Sequence, residues 1–171
     1  MGYYISTPSS AFRIRTENLP RFFELAEQML TPKVLEENAS GGSYSEGKQT
    51  KWWYSWVDSD RALKAIKSND IREVFAEWGY ELEFVNEENG ESIYYLDIEG
   101  GESKIGDEEK FFAAIAPIVE DGSFLDVRGE DGEEWRWMWE NGKFFVQNVS
   151  YKEVFYADPI EITFGKENSN A

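Results

Sequence analysis

The sequence predicts an α+β protein, a two-layer sandwich of a mostly antiparallel sheet with helices packed on one face. Three observations predict it. Segments whose apolar residues recur at helical spacing alternate with groups of strand-like runs, not with single strands. Short Gly, Asn and Asp clusters join those runs into hairpins. Aromatic residues make up 16% of the chain, seven of them Trp, enough apolar area for one core although 30% of residues are charged. A chain of 171 residues is most simply one domain, taken here as 1–164 with a flexible tail over 165–171. A ferredoxin-like core with added strands is one way to draw the topology.

The elements follow in order. Tyr3-Tyr4-Ile5 and Phe12-Arg13-Ile14-Arg15 read as short strands interrupted by Thr7-Pro8-Ser9-Ser10. A helix starts between Thr16 and Pro20, with Leu19, Phe22, Phe23, Ala26, Met29 and Leu30 on one stripe, and Pro32 stops it. The polar stretch 33–49, centred on Gly41-Gly42-Ser43-Tyr44, reads as the longest loop. Residues 52–57 read as a strand with Trp52, Tyr54 and Trp56 on one face.

Two helices follow. Asp58 or Ser59 caps the first, with Ala62, Leu63 and Ile66 inward; Ser68 or Asn69 caps the second, with Ile71, Val74, Phe75 and Trp78 inward and Gly79 after its end. Residues 80–85 and 92–98 form a hairpin around Asn86-Glu87-Glu88-Asn89-Gly90. Asp107 caps a helix carrying Phe111, Phe112, Ile115 and Val119 inward, which Pro117 ends or kinks. The last third is β: 123–128, a turn at Gly129-Glu130-Asp131-Gly132, 133–140, the hairpin signal Asn141-Gly142, and 143–149. A final short strand falls near 154–156 or 160–164.

Charge is distributed unevenly. Between 81 and 135 stand 18 Asp and Glu against Lys104, Lys110 and Arg128, a balance of −15 in a chain whose total is −17. Such a field attracts a basic partner and repels both nucleic acid and anionic membrane. Glu87, Glu88, Asp107, Glu108, Glu109, Glu120, Asp121, Glu130, Asp131, Glu133 and Glu134 all fall in predicted turns or helix ends, where side chains reach solvent. Spaced in this way, carboxylates could imitate a nucleic-acid backbone, which carries one negative charge per roughly 1.7 Å of duplex.

The chain has no Cys and no His, which excludes disulfides, thiolate nucleophiles, Cys or His zinc sites and every imidazole-based triad. No apolar run approaches the roughly 20 residues of a membrane span, and the N-terminus lacks a secretory pattern, so the expectation is a cytoplasmic protein with no membrane contact. Gly42, Gly47 and Lys48 match phosphate-loop spacing, but Gln49 stands where Ser or Thr would hold magnesium, and a strand-like run follows where a helix should. No cofactor or metal site is expected. Trp135, Trp137 and Trp139 share one strand face, either as core or as a stacking platform for a small ligand or sugar. Carboxylate-dependent hydrolysis remains a third, weaker reading, since no pair of acids stands out by spacing.

Gly106-Asp107-Glu108, Ala114-Ile115-Ala116-Pro117, Gly122-Ser123, Gly129-Glu130-Asp131-Gly132 and Trp135-Arg136-Trp137 resemble segments of small acidic proteins encoded by bacteriophages and other mobile elements. The resemblance brings no catalytic residues. It implies a setting in which such proteins inhibit host defence nucleases, as anti-CRISPR and anti-restriction proteins do. The expectation is therefore a non-enzymatic inhibitor of a basic host protein or nucleoprotein complex, acting through its acidic face without touching nucleic acid directly. The alternative is a small-ligand or carbohydrate-binding domain using Trp-rich strands.

Overall fold

A computed structural model describes residues 2–86, 92–96, 102–149 and 158–161. It shows an α+β protein in which every pairing among the described strands is antiparallel. The elements are β1 (Tyr4–Ala11), β2 (Arg13–Arg15), α1 (Leu19–Met29), α2 (Pro32–Asn38), β3 (Gly41–Ser45), β4 (Lys48–Trp53), α3 (Ser59–Lys67) and α4 (Ile71–Glu77). They continue as β5 (Leu82–Asn86), β6 (Ser92–Leu96), β7 (Glu102–Lys104), α5 (Glu108–Ile115), β8 (Phe124–Gly129), β9 (Glu134–Glu140) and β10 (Lys143–Asn148).

The described strands form three sheets, not one: β10-β9-β8-β1-β7, β2-β6-β5 and β3-β4. A ferredoxin-like core needs parallel neighbours joined through helices. The described strands contain no such pair, so that topology is replaced by a meander of β8, β9 and β10 extended by β1 and β7.

Helices cover the inner face of the large sheet. Phe112 of α5 lies against Trp137 and Trp139 of β9, with ring centroids 5.3 and 5.2 Å away. Phe12 packs edge-on to Trp139 at 4.9 Å, and Phe75 and Phe111 carry the aromatic contacts outward to Phe22 of α1. The α1 stripe buries Phe22, Ala26 and Met29 as expected, with Leu25 beside them, while Phe23 is only half-buried. Edge-to-face rings at these spacings contribute beyond their area burial, and cutting a buried Trp or Phe to Ala costs about 3–5 kcal/mol.

Local signals account for most boundaries. Asp58 accepts from Asp60 N and Arg61 N to cap α3. The cap of α4 is Asp70, accepting from Glu73 N, rather than Ser68 or Asn69, because Asn69 is left-handed (φ 53°) and belongs to the turn before it. Asn141 and Gly142 both have positive φ (53° and 70°), the two-residue hairpin geometry their identities select. Pro117 lies in a 3₁₀ turn, Ala116–Ile118, that closes α5.

Three expectations are corrected. Thr7 to Ser10 do not interrupt β1; the strand absorbs Pro8 through a register shift between Ser6 and Ser9 against β8, since a bulge tolerates a residue without a ladder N–H. The stretch 33–49 is no long loop: it holds α2 and the β3-β4 hairpin. The strand read over 52–57 ends at Trp53, so Tyr54 and Trp56 do not share its face. The turn of the 80–98 hairpin beyond Asn86 and the 165–171 tail lie outside the described residues, as does most of the final strand; residues 160 and 161 are described and are in no strand.

Candidate functional site

The carboxylates expected to form one contact face have separate fates. Glu87 and Glu88 lie outside the described residues. Asp107 and Glu108 are buried, 5% and 4% exposed, which corrects the expectation that they reach solvent. Glu109 accepts from Trp137 Nε1 at 2.9 Å, turning a surface acid into the partner of a core indole. Glu120 pairs with Arg15 at 3.4 Å, and Asp121 accepts from Asn141 N at 2.8 Å.

On the outer face of the sheet, register explains the rest. Asp126 faces Arg136 and Arg128 faces Glu134 across β8 and β9, and both pairs close as ion pairs, at 2.6 and 2.7 Å. Asp131 accepts from the Tyr3 hydroxyl and from Glu133 N, and the Tyr3 hydrogen bond holds its carboxyl below the ordinary value. Among the described carboxylates of this set, Glu130, Asp131 and Glu133 stand together and exposed at the β8-β9 tip. The acidic segment is thus partly neutralised and partly consumed by the fold.

The indoles have also been redistributed. Trp137 and Trp139 are fully buried and Trp135 is half-buried, so the face they share is core and not a platform. The accessible indoles are Trp56, 60% exposed, and Trp53, 37% exposed, with Trp52 half-buried. These three line an open cleft of about 860 Å³, within the size range of small-molecule sites. Pro32 and Leu35 of α2 form its apolar floor with Val57, while Glu36, Lys51, Asp58 and Asp60 supply charge.

Each ring is placed by a specific local device. Gly41 and Gly42 face Trp53 and Trp52 in register across the β3-β4 hairpin. A Cβ on Gly41 would sit 2.6 Å from Trp53 Nε1 and 2.8 Å from Trp53 O, so the indole lies over bare backbone that only glycine provides. The hairpin turns at Glu46 and Gly47, both with positive φ. Gly47 therefore serves a β-turn, and the phosphate-loop spacing it shares with Gly42 and Lys48 has no helix after it.

After β4, Tyr54 turns inward and donates its hydroxyl to Met29 O at 3.0 Å. The chain then reverses, with Val57 N bonded to Tyr54 O and Trp56 at φ 66°. A bulky residue in the left-handed region costs of order 1–3 kcal/mol and persists only where its surroundings hold it. Trp56 is held by its own ring: Nε1 donates to Ile105 O at 3.3 Å and Lys104 Nζ lies 4.5 Å from the ring centroid. Gly106 clears the space, since a Cβ there would stand 2.9 Å from Ser55 O and 3.0 Å from Trp56 Cδ1.

Asp107 locks these parts together. Its Oδ2 accepts from Ser40 N (3.1 Å) and Ser55 N (2.9 Å), and its Oδ1 from Ser40 Oγ (2.5 Å) and Lys110 Nζ (2.8 Å). Lys110 also donates to Asn38 O. One carboxylate thereby ties the start of α5 to the residue before β3 and the residue before Trp56. Burial pushes the Asp107 carboxyl up, but the hydrogen bonds from Lys110, Ser40 and Ser55 outweigh it and hold it below the ordinary value. Neighbouring Glu108 goes the other way: burial raises it, Glu109 and Asp107 add repulsion, and the bond from Gly106 N at 2.6 Å offsets this only in part.

Asp107 was legible in sequence as a helix cap, yet its side chain makes no cap hydrogen bond in α5. The cleft itself was not legible, although Gly-Gly and Trp-Trp at hairpin spacing are its local trace. Among the described residues no group of three or more carboxylates converges as a metal site. The arrangement can sequester an apolar or aromatic body beneath charged rim groups. Compared with known proteins, the chain matches no family model, no curated protein and no solved structure.

Proposed function

We propose that this protein is a non-catalytic binding protein whose cleft between α2, β4 and the α3 N-terminus takes a small organic ligand against Trp52, Trp53 and Trp56. The observation that carries this reading is Trp56: a large apolar ring, mostly exposed, kept in a left-handed backbone conformation that its own contacts stabilise. Strain of this kind clusters at ligand clamps, and here it holds an exposed indole beside Trp52, Trp53 and an apolar floor. Screening a library of sugars, amines, amino acids and nucleosides by tryptophan emission and calorimetry tests it. Saturable binding that weakens at least tenfold in W53A supports the reading. Binding that is unchanged in W53A and in W56A would refute it.

A second reading rests on the β8-β9 tip, where Glu130, Asp131 and Glu133 are exposed side by side. There the protein would dock on a basic host nucleic-acid-handling complex and occlude it, as inhibitors from mobile elements do. Charge complementarity would govern its association rate more than its affinity. The double reversal E130K/E133K should abolish capture of such a complex while leaving the melting temperature unchanged; capture that survives the reversal would remove this reading.

A further inference from the structure

We infer that the cleft selects a ligand with an alkylammonium head, of the quaternary type, and an apolar body. This rests on the cleft being a binding site, and deepens that reading by naming the ligand class. Three observations carry it.

Charge comes first. Of the groups lining the cleft, Glu36, Asp58 and Asp60 are acids and Lys51 is the base. A cation is therefore attracted and an anion repelled, and the low-dielectric walls of a cleft concentrate that preference.

The second is the state of the α3 N-terminus. A helix start ordinarily offers N–H groups to anions. Here Asp58 Oδ1 already accepts from Asp60 N (3.0 Å) and Arg61 N (3.1 Å), so its carboxylate fills the place an anionic ligand would take. Its Oδ2 lies 3.9 Å from Arg61 Nε as an ion pair, so the negative charge this helix presents to the cleft rests mainly on Asp60.

The third is ring chemistry. Indole faces attract cations through their quadrupole, and a quaternary ammonium asks for no hydrogen-bond acceptor, which suits walls made of Trp52, Trp53, Leu35 and Pro32. Trp56 borders both this cleft and a smaller cavity of about 170 Å³ that Lys104 lines. The Lys104 ammonium already lies over the Trp56 ring. A second cation on that ring would be repelled, which directs the ligand head to Trp52 and Trp53 and leaves Trp56 to cover its apolar part.

The test is calorimetric titration of the full chain with choline, with the neutral isostere in which carbon replaces the nitrogen, and with glucose and cellobiose. Choline should bind, and the isostere should bind about 3- to 30-fold more weakly, the range of a cation-π contribution. The variant E36Q/D60N should lower choline affinity several-fold, leave the isostere unaffected and keep the wild-type circular dichroism spectrum. Equal binding of choline and the isostere, or binding of a sugar alone, would overturn the ammonium assignment while leaving the cleft as a binding site. Absence of binding by all four probes at millimolar concentration would count against both.

Discussion

Replacing Asp107 with alanine removes the acceptor of four hydrogen bonds at once, and the structure allows the cost to be apportioned. Lys110 is 41% exposed and turns to water with little loss. Ser40 Oγ can find another partner as a rotatable hydroxyl. The backbone N–H groups of Ser40 and Ser55 cannot move without moving the β3-β4 hairpin and the Trp56 turn. Ser40 is exposed and Ser55 half-buried, so water can take up part of what is lost; at about 0.5–1.5 kcal/mol net per hydrogen bond the two together give about 1–3 kcal/mol. A domain of this size loses roughly 2–4 °C of melting temperature per kcal/mol, which places D107A about 2–12 °C below wild type.

D107N keeps one acceptor oxygen but presents an amide to Lys110, so its loss should be smaller. The assay is thermal unfolding by circular dichroism together with amide hydrogen exchange. Exchange at Ser40 and Ser55 should accelerate in D107A before any core amide does. The pH dependence has a definite sign. Because the folded carboxyl lies below its unfolded value of about 3.9, its contribution is complete above that pH and disappears as pH falls through the lower folded value. D107N should therefore flatten the acid limb of the stability curve. A D107A protein that melts within 1 °C of wild type at neutral pH, given roughly 2 °C or more per kcal/mol, with Ser40 and Ser55 amides unchanged, would refute the clamp.

Three further perturbations separate the remaining claims. Glu108 is held above its ordinary value, so its contribution to stability is complete below the unfolded value and is lost as pH rises through the folded one. E108Q keeps an acceptor for Gly106 N, and should melt higher than wild type at pH 7 yet equal to it near pH 4; urea denaturation at the two pH values reads the difference. G41A forces the hairpin away from Trp53 and should cost about 1–3 kcal/mol, of the order of overpacking, with a shift of tryptophan emission. An unshifted spectrum and midpoint would show that the strand yields freely. W56G removes the ring with its bond to Ile105 O but relieves about 1–3 kcal/mol of left-handed strain, so the two offset and the fold should survive with stability near wild type while ligand binding is lost. Unfolding of W56G would mean that the ring is structural.

The sequence by itself determined the elements whose causes are local. The α1 stripe, the α3 cap at Asp58 or Ser59 (Asp58 in the fold), the Asn141-Gly142 turn and the Gly79 helix end (φ 87°) depend on residues within a few positions of one another. It also determined the α+β class, because antiparallel hairpins and amphipathic helices leave few other ways to bury so many rings. Tertiary structure alone decided which charges and rings remain available. Asp107 reads as a helix cap until Ser40 and Ser55, 67 and 52 residues away in the chain, bring it their N–H groups. Arg136 and Arg128 neutralise Asp126 and Glu134 only because β8 and β9 adopt one register. Trp139 and Trp56 look equally suited to a binding face, yet Phe12 and Phe112 close over the first, while a reversal of the chain at Val57 turns the second outward. Periodicity specifies the face of an element. What lies opposite that face depends on contacts across the whole chain, and with it whether a carboxylate is a clamp or a charge, and whether an indole is core or wall.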